Sequence, residues 1–484
     1  MSPQLIIGLI LAYFGLLIFI SWITSRKSDV KSFYLGNRQA PWYLVSFGMI
    51  GATLSGVTFI SVPGMIGNID HINGQFSYFQ VILGYIIGYW VIAGLLLPIY
   101  YRMNLTSIYG YLRERFGWRS HKTGAGFFLF SRVIGAAFRL YLVATVMQAF
   151  IFDPWDVPFW VTVSITIGFI WVYTFRSGIK TIIYTDTLQT FFMLTAVFLT
   201  VRYVLQTLDL DSVSAIKDAM AQYDIKQTFF WDGSERNFFK QFLSGFFLAI
   251  VMTGLDQDMM QKNLSCKNIG EAQKNMYTLS VTMFFVNTLF VLFGALLYVY
   301  AQSRGIAIPE NRDLLYPTLA LQHFDLSIGI LFILGLIAAA YSSADSALTS
   351  LTTSFVVDIL EFDRKGERPR LRLFIHIGFS VLLLAVIVVF RYWVDDSVLT
   401  SLFRIAGLTY GPLLGLYFFG IFFKGKLSDK LVPIICITSA LISFILVKNA
   451  EEWFNMRIGF EILIYNGFLT FVGLWIGSRF HSEQ

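Results

Sequence analysis

Long apolar stretches alternate along this chain with short polar turns, and little sequence lies outside that alternation. A transmembrane helix needs about 20 consecutive, mainly apolar residues to cross the hydrocarbon core of a bilayer. Stretches of that kind occur at 13 places: 4–24, 43–69, 76–100, 123–150, 157–175, 184–204, 238–260, 275–301, 326–354, 374–394, 400–423, 430–448 and 459–479. The pattern predicts an all-α polytopic membrane protein with about 13 transmembrane helices, and it favours a single transmembrane domain over 1–484.

The composition supports this fold class. Of the 484 residues, 56% are hydrophobic and only 14% are charged, whereas a soluble domain carries about 25% charged residues. The chain has two cysteines, Cys266 in a turn and Cys436 in a span, and this indicates no disulfide framework.

Basic residues are distributed unevenly between alternate turns. They concentrate in 26–38, 102–122 and 364–372, whereas the turns near Asp70 and Asp153 are acidic or nearly uncharged. Because cytoplasmic loops carry the excess of Lys and Arg, we expect the N-terminus outside and the C-terminus inside a plasma membrane, such as a bacterial inner membrane. The net charge of +6 then reflects the cytoplasmic leaflet, and no nucleic-acid partner is expected.

Two groups of five spans, 43–204 and 238–423, have similar lengths, with 1–42 and 424–484 as peripheral helices. An odd number of spans per group makes the second group enter from the opposite side, which is the inverted-repeat arrangement of many secondary transporters. In such folds the opening helix of each repeat breaks near the midplane, and the binding site forms there. The outer loop 205–237 has room for a short surface helix.

The two opening spans carry the polar groups that such a site needs. The first, 48–64, contains several glycines and Pro63, which permit local unwinding and free backbone carbonyls to bind a cation. In the second, Thr253 and Asp256 lie deep in the span and are candidates for function. Asp258 lies nearer the inner end, where a solvated boundary explains it equally well.

A third polar cluster lies in the apolar span 326–354, which contains Ser342, Ser343, Asp345 and Ser346. Polar groups in hydrocarbon cost several kcal/mol each unless they are satisfied. A single serine is explained by a hydrogen bond back to a helix carbonyl, and small residues let helices pack closely. The cluster as a whole indicates a bound ion or a polar solute.

Five segments carry a family resemblance: 53–59 (TLSGVTF), 184–189 (YTDTLQ), 256–261 (DQDMMQ), 338–343 (AAAYSS) and 410–415 (YGPLLG). In this order they resemble the sodium:solute symporter family, which includes sodium/glucose cotransporters and bacterial sodium/sialic acid symporters. The resemblance runs through nearly the whole chain. It implies a LeuT-like 5+5 inverted repeat with extra flanking helices. It also implies sodium-coupled import of a small organic solute by alternating access, with one or two sodium ions per solute.

The resemblance also implies two sets of sodium ligands. The principal site would use the backbone carbonyls of Gly51, Leu54 and Ala339 with the hydroxyls of Ser342 and Ser343. A possible second site, present in part of the family, would use Asp186, Ser342, Asp345 and Ser346. The sialic acid symporters have Ser where this chain has Asp345. That carboxylate would tighten the site, share a proton or point elsewhere.

The substrate-binding residues implied by the sialic acid branch are Thr53, Ser55, Thr58, Phe76 and Gln80, and Asp256 is a further candidate. The arginine that grips the sugar-acid carboxylate in that branch aligns with Gly135. Arg132 and Arg139 lie one turn before and after it, so either is placed to reach the pocket. Both have the alternatives of pairing with carboxylates or extending to the headgroups. The solute class therefore stays open among sugars, sugar acids and other small carboxylates.

Other functions are less well supported by the sequence. A proton-coupled transporter of the same fold is the nearest alternative, and a channel or a membrane-embedded sensor or enzyme is more distant. The usual selectivity-filter runs of channels are missing from the sequence. The histidines are scattered and form no catalytic or metal set: His71, His121, His323, His376 and His481. We expect a non-enzyme whose partners are sodium, the solute and the bilayer, functional as a monomer.

Overall fold

The computed structural model describes residues 3–25, 38–67, 72, 74–174, 179–361, 369–392, 398–425 and 427–481. Within these ranges every regular secondary-structure element is a helix. An isolated β-bridge joins Ala40 to Cys266. The helices are α1 Pro3–Ser25, α2 Trp42–Met65, α3 Ser77–Val91, α4 Leu97–Arg102, α5 Gly110–Arg115, α6 Trp118–Met147, α7 Phe159–Thr174, α8 Ile179–Thr207, α9 Val213–Gln222, α10 Phe238–Ala249, α11 Gln257–Asn263, α12 Ile269–Ser303, α13 Leu315–Thr318, α14 Leu326–Ser354, α15 Pro369–Phe390, α16 Val398–Phe422, α17 Leu431–Phe454 and α18 Ile462–His481.

Short turns of π or 3-10 helix extend several of these elements without ending them. A π turn joins α3 to α4, and others follow α6, α10, α13 and α14. Over the described ranges, 11 helices are long and apolar enough to cross a membrane. The bent pair Phe238–Gly254 and Gln257–Asn263 makes a twelfth span, and the shorter apolar helix α7 lies where another stretch was predicted. The all-helical membrane fold is confirmed.

Both opening helices are broken where the sequence analysis expects a break. In α2, Ser55 has φ 35° and ψ 173°, so the helical hydrogen-bond pattern stops there and restarts. In the second case, α10 with its π turn meets α11 at an angle of 68° around Leu255 and Asp256. Broken helices at membrane depth are tolerated only where the freed backbone groups face protein or a cavity.

Helix α2 is the centre of the bundle. It is buried along nearly its whole length and packs against α8, α12 and α14. Close approach to α8 depends on Gly51, because a Cβ there would lie 2.1 Å from the Thr190 hydroxyl oxygen. In α14 every residue from Gly335 to Ser354 is buried. The polar residues of α2, α8 and α14 are therefore held together away from lipid.

The peripheral helices face outward. Helix α17 exposes large apolar side chains such as Ile434, Leu441 and Phe444, as expected for a surface that contacts lipid. The long loop contains the expected surface helix, α9, whose first turn is capped by the Ser212 hydroxyl.

Candidate functional site

A cavity of about 70 Å³ lies beside the break in α2 and extends to the π turn after α10. Three predicted residues of α2 line it: Thr53, Ser55 and Thr58. Arg132 and Arg139 of α6 line another side. The cavity therefore combines hydroxyl groups, which accept and donate hydrogen bonds, with guanidinium groups, which only donate.

The two arginines have different surroundings. The Arg132 Nη2 atom donates to Asp258 Oδ2, and Nη1 lies 3.9 Å from Asp256 Oδ2. The Tyr410 hydroxyl donates to the same Asp256 oxygen at 2.6 Å. Arg132 is thus paired with carboxylates, one of the alternatives that the sequence left open. Its charge is neutralised within the protein.

Arg139 lies in the same cavity with 8% of its surface exposed. No hydrogen bond or ion pair joins it to any residue that the structure describes, and its Nε atom is buried without a partner. A buried cation without a direct ion pair or hydrogen bond is costly. The guanidinium group provides up to two parallel hydrogen bonds to a carboxylate, so the cavity is suited to an anion.

The oxygen atoms of the expected principal sodium site lie where the helices leave them available to bind an ion. The break at Ser55 makes residues 51–54 the last turn of the first half of α2, and carbonyls of a last turn lack helical donors. This turn includes Gly51 and Leu54. On α14, Ala339, Ser342 and Ser343 are spaced by three and four residues and share one face.

The hydroxyl groups of this set fit a cation. The Ser343 Oγ atom is buried and has no hydrogen-bond partner among the residues that the structure describes. The Ser342 hydroxyl donates its hydrogen to Asp186 Oδ1 at 2.7 Å, so its lone pairs stay available. Neutral carbonyl and hydroxyl oxygens are suitable ligands for a hard cation. The donor set therefore fits sodium.

At the possible second sodium site, the ammonium group of Lys262 lies next to one of the expected ligands. Asp186 is fully buried, and its Oδ2 atom accepts a hydrogen bond from Lys262 Nζ at 2.6 Å. Asp345 Oδ1 accepts from the Ser346 backbone N–H at 2.6 Å. The Ser346 hydroxyl is buried and has no partner in the described part of the chain. The sequence analysis assigned no role to Lys262. It lies two residues beyond the predicted span 238–260, where a lysine at the inner boundary is ordinary, so nothing in the sequence singled it out.

Three predicted substrate residues lie outside the cavity lining. Gln80 Nε2 donates to the Arg236 carbonyl at 2.9 Å, and its Oε1 accepts from the Phe230 N–H at 3.1 Å. The Phe76 N–H donates to the Gln227 carbonyl. Both residues therefore anchor the long loop at the start of α3. Asp256 caps α11 by accepting from the N–H of residue 258.

The cavity has lining residues that the sequence analysis did not identify. Tyr78, Tyr85 and Tyr89 come from α3, and Asn287 comes from α12. Thr253, which the sequence did single out, lines the cavity from the π turn after α10. The tyrosines are spaced by seven and four residues, which places them on one face of a helix. That spacing is the sequence feature from which these tyrosines could have been recognised as one group.

A second polar network closes one end of the bundle. Asp358, in the π turn after α14, contacts His121 Nε2 at 2.9 Å and accepts from the hydroxyls of Ser107 and Ser354. Next to it, Glu361 lies 2.8 Å from Lys122 Nζ, which lowers the pKa of the Glu361 carboxyl to about 2. The network ties the start of α6 to the end of α14.

The chain is similar to known membrane transporters over most of its length. The sequence model of the sodium:solute symporter family matches residues 33–427. A sodium/sialic acid symporter of Aliivibrio fischeri is 24% identical over 95% of this chain and 91% of its own length. The human sodium-coupled monocarboxylate transporter 1 is 23% identical over 84% of this chain and 66% of its own. The structure of a substrate-bound, outward-open sodium-coupled sialic acid symporter superposes with a TM-score of 0.82 at 19% identity, covering 98% of both chains.

Proposed function

Because the chain belongs to the sodium:solute symporter family and is a multi-pass, sodium-coupled transporter, we propose that its solute is a small organic anion held by Arg139. The observation that carries the proposal is the unpaired guanidinium group in the cavity between the broken helices. An anion in that cavity would supply the direct ion-pair and hydrogen-bond partner that the described residues do not. Two relatives are named for organic acids, sialic acid and monocarboxylates.

The size of the cavity narrows the solute class. A volume of about 70 Å³ accommodates roughly five water molecules, at about one per 10–15 Å³. This favours a monocarboxylate with few heavy atoms over a nine-carbon sugar acid. The hydroxyls of Thr53, Ser55 and Thr58 would bind the remaining polar groups of such a solute.

The coupling ion would bind next to the solute. Sodium would be held by the carbonyls of Gly51, Leu54 and Ala339 and by the hydroxyls of Ser342 and Ser343. Both α2 carbonyls and the Thr53 side chain belong to the same turn, so ordering that turn for sodium also orders one wall of the cavity. Binding of either ligand then favours the other, as coupling requires.

Transport would proceed by alternating access, with the repeats 43–204 and 238–423 moving relative to each other around this site. Residues of one chain supply the whole proposed site, which supports function as a monomer. The uneven distribution of basic residues supports an N-terminus outside and a C-terminus inside a bacterial inner membrane.

The proposal is tested by sodium-dependent thermal stabilisation of the purified protein. The probes are lactate, pyruvate and sialic acid, each with its neutral amide as the matched compound. A bound ligand stabilises the folded state by mass action. We expect a short carboxylate to stabilise the protein more in sodium than in choline at the same pH, and its amide to have little effect.

Variants of Arg139 make the test specific. Arg139→Gln should weaken binding of the carboxylate by about 30-fold or more, since removing one member of a buried charge pair costs about 2 kcal/mol or more. Arg139→Lys should be intermediate, because an ammonium group lacks the planar fork. Arg202→Gln, on an exposed position of α8, is the control. Equal binding of acid and amide, or stabilisation in choline that follows pH and not sodium, would overturn the proposal.

A further inference from the structure

One of the four residues expected to form a second sodium site, Asp186, binds a cation that the protein itself provides. Lys262 is 1% exposed, and its ammonium group lies 2.6 Å from Asp186 Oδ2. The other oxygen of Asp186 accepts the Ser342 hydroxyl. Both oxygens of this carboxylate are therefore in hydrogen bonds within the protein.

The charge next to Asp186 is already a cation, because the Lys262 ammonium group is in direct contact with that carboxylate. Lys262 interacts electrostatically with Asp186 and Asp345, and Asp258 on the same short helix pairs with Arg132. A sodium ion at Asp186 would lie within a few ångströms of the ammonium group. Two like charges that close repel strongly in a buried site of low dielectric constant. The residues present therefore do not fit a second sodium ion while Lys262 holds Asp186.

We propose that the Lys262 ammonium group permanently takes the place of the second cation, so that the protein binds one sodium ion. This inference deepens the proposed function and rests on its principal sodium site. Lys262 also acts as a positioning residue for that site. By holding Asp186, it fixes the acceptor to which Ser342 gives its hydrogen, and this turns the lone pairs of Ser342 toward the sodium ion.

The test measures binding of radioactive sodium to the purified protein without solute, so it does not depend on the identity of the solute. The wild type should bind about one sodium per chain with a Hill coefficient of about one. Lys262→Met keeps the length of the side chain and removes its charge. It should raise the stoichiometry to about two and the Hill coefficient clearly above one, because Asp186 is then free to bind sodium.

Two further variants complete the design. In the double variant Lys262→Met with Asp186→Asn, the stoichiometry should return to about one, since the carboxylate that attracts the second ion is gone. Lys217→Met, on the exposed face of α9, is the control for loss of a lysine. Asp186→Asn alone removes the carboxylate that orients Ser342, so it should weaken binding of the single sodium ion and add no second ion.

The results that overturn the inference are distinct from those that overturn the proposed function. Two sodium ions bound by the wild type, falling to one in Asp186→Asn, would show that Lys262 does not replace the ion, even if Lys262→Met does not fold. A folded Lys262→Met protein that binds one sodium with unchanged affinity would also refute it. No sodium binding by the wild type would instead refute the principal site itself.

Discussion

At the scale of single residues, one hydrogen bond fixes the orientation of the Ser342 hydroxyl group on α14. Ser342 directs its hydrogen to Asp186, whereas the neighbouring Ser343 hydroxyl has no partner among the described residues. Adjacent serines with the same chemistry therefore differ in how firmly they are oriented. Ser343 is free to turn its oxygen to an ion, and Ser342 is held in place.

We predict that Ser343→Ala lowers the apparent affinity for sodium about tenfold, which corresponds to about 1.4 kcal/mol, without loss of folding. Ser342→Ala should lower it more, because it also leaves Asp186 without one of its donors. The measurement is the sodium concentration that gives half-maximal thermal stabilisation. Ser350→Ala is the matched control, since that hydroxyl donates to the carbonyl of Ala347 within the same helix. Wild-type sodium dependence in Ser343→Ala would contradict the assignment.

The residue scale also shows where reasoning from sequence was insufficient. The hydroxyls of 342–346 were recognisable because polar groups in an apolar span need a partner. Lys262 was not recognised, because its partner Asp186 lies 76 positions earlier in the chain and no local spacing relates them. Gln80 was assigned by resemblance to the solute, yet it binds the backbone of the long loop. The resemblance gives its position in the helix but not the conformation of the facing loop.

At the scale of elements, the break in α2 is the feature that makes the site. A run of glycines and a proline indicated that the helix could be interrupted, but the interruption occurs at Ser55, between Leu54 and Gly56. Its φ of 35° is a conformation that residues with a Cβ atom rarely adopt. Such strain persists at functional sites when the surrounding structure imposes it.

Two substitutions at Ser55 separate its backbone from its hydroxyl. Both Ser55→Gly and Ser55→Ala remove the hydroxyl, but only alanine keeps the Cβ atom in the strained conformation. We expect the glycine variant to be more stable than the alanine variant by about 1 kcal/mol. The measurement is the unfolding temperature in saturating sodium. Equal stability of the two variants would show that the break imposes no strain on this residue.

At the scale of the whole molecule, the Asp358 and Glu361 network joins α6 to the end of α14 and closes one end of the bundle. Lys122 and Trp118 hydrogen-bond with the charged form of Glu361, and its pKa is lowered to about 2. A lowered pKa means that this contribution to stability is present above the ordinary pKa of about 4.5. It is lost as the pH falls from about 4.5 through 2.

We therefore predict that Glu361 causes no change in stability between pH 5 and pH 8. Glu361→Gln removes the charge and should let this end of the bundle open more often. Hydrogen exchange of segments 104–116 and 354–361 should then become several-fold faster at pH 7, while exchange in α12 stays as in the wild type. Glu452→Gln, at an exposed position of α17, is the control. Unchanged exchange in both segments would show that the network does not hold this end closed.

The unpaired charge of Arg139 has an electrical consequence. Sodium and a monovalent anion bound one to one add no net charge to the protein, so the membrane potential does no net work over one transport cycle. Each translocated charge would otherwise contribute about 2.3 kcal/mol per 100 mV. A tenfold sodium gradient then supports only about a tenfold accumulation of solute. In return, uptake would continue in a depolarised cell, because the loaded and the empty carrier would have the same net charge.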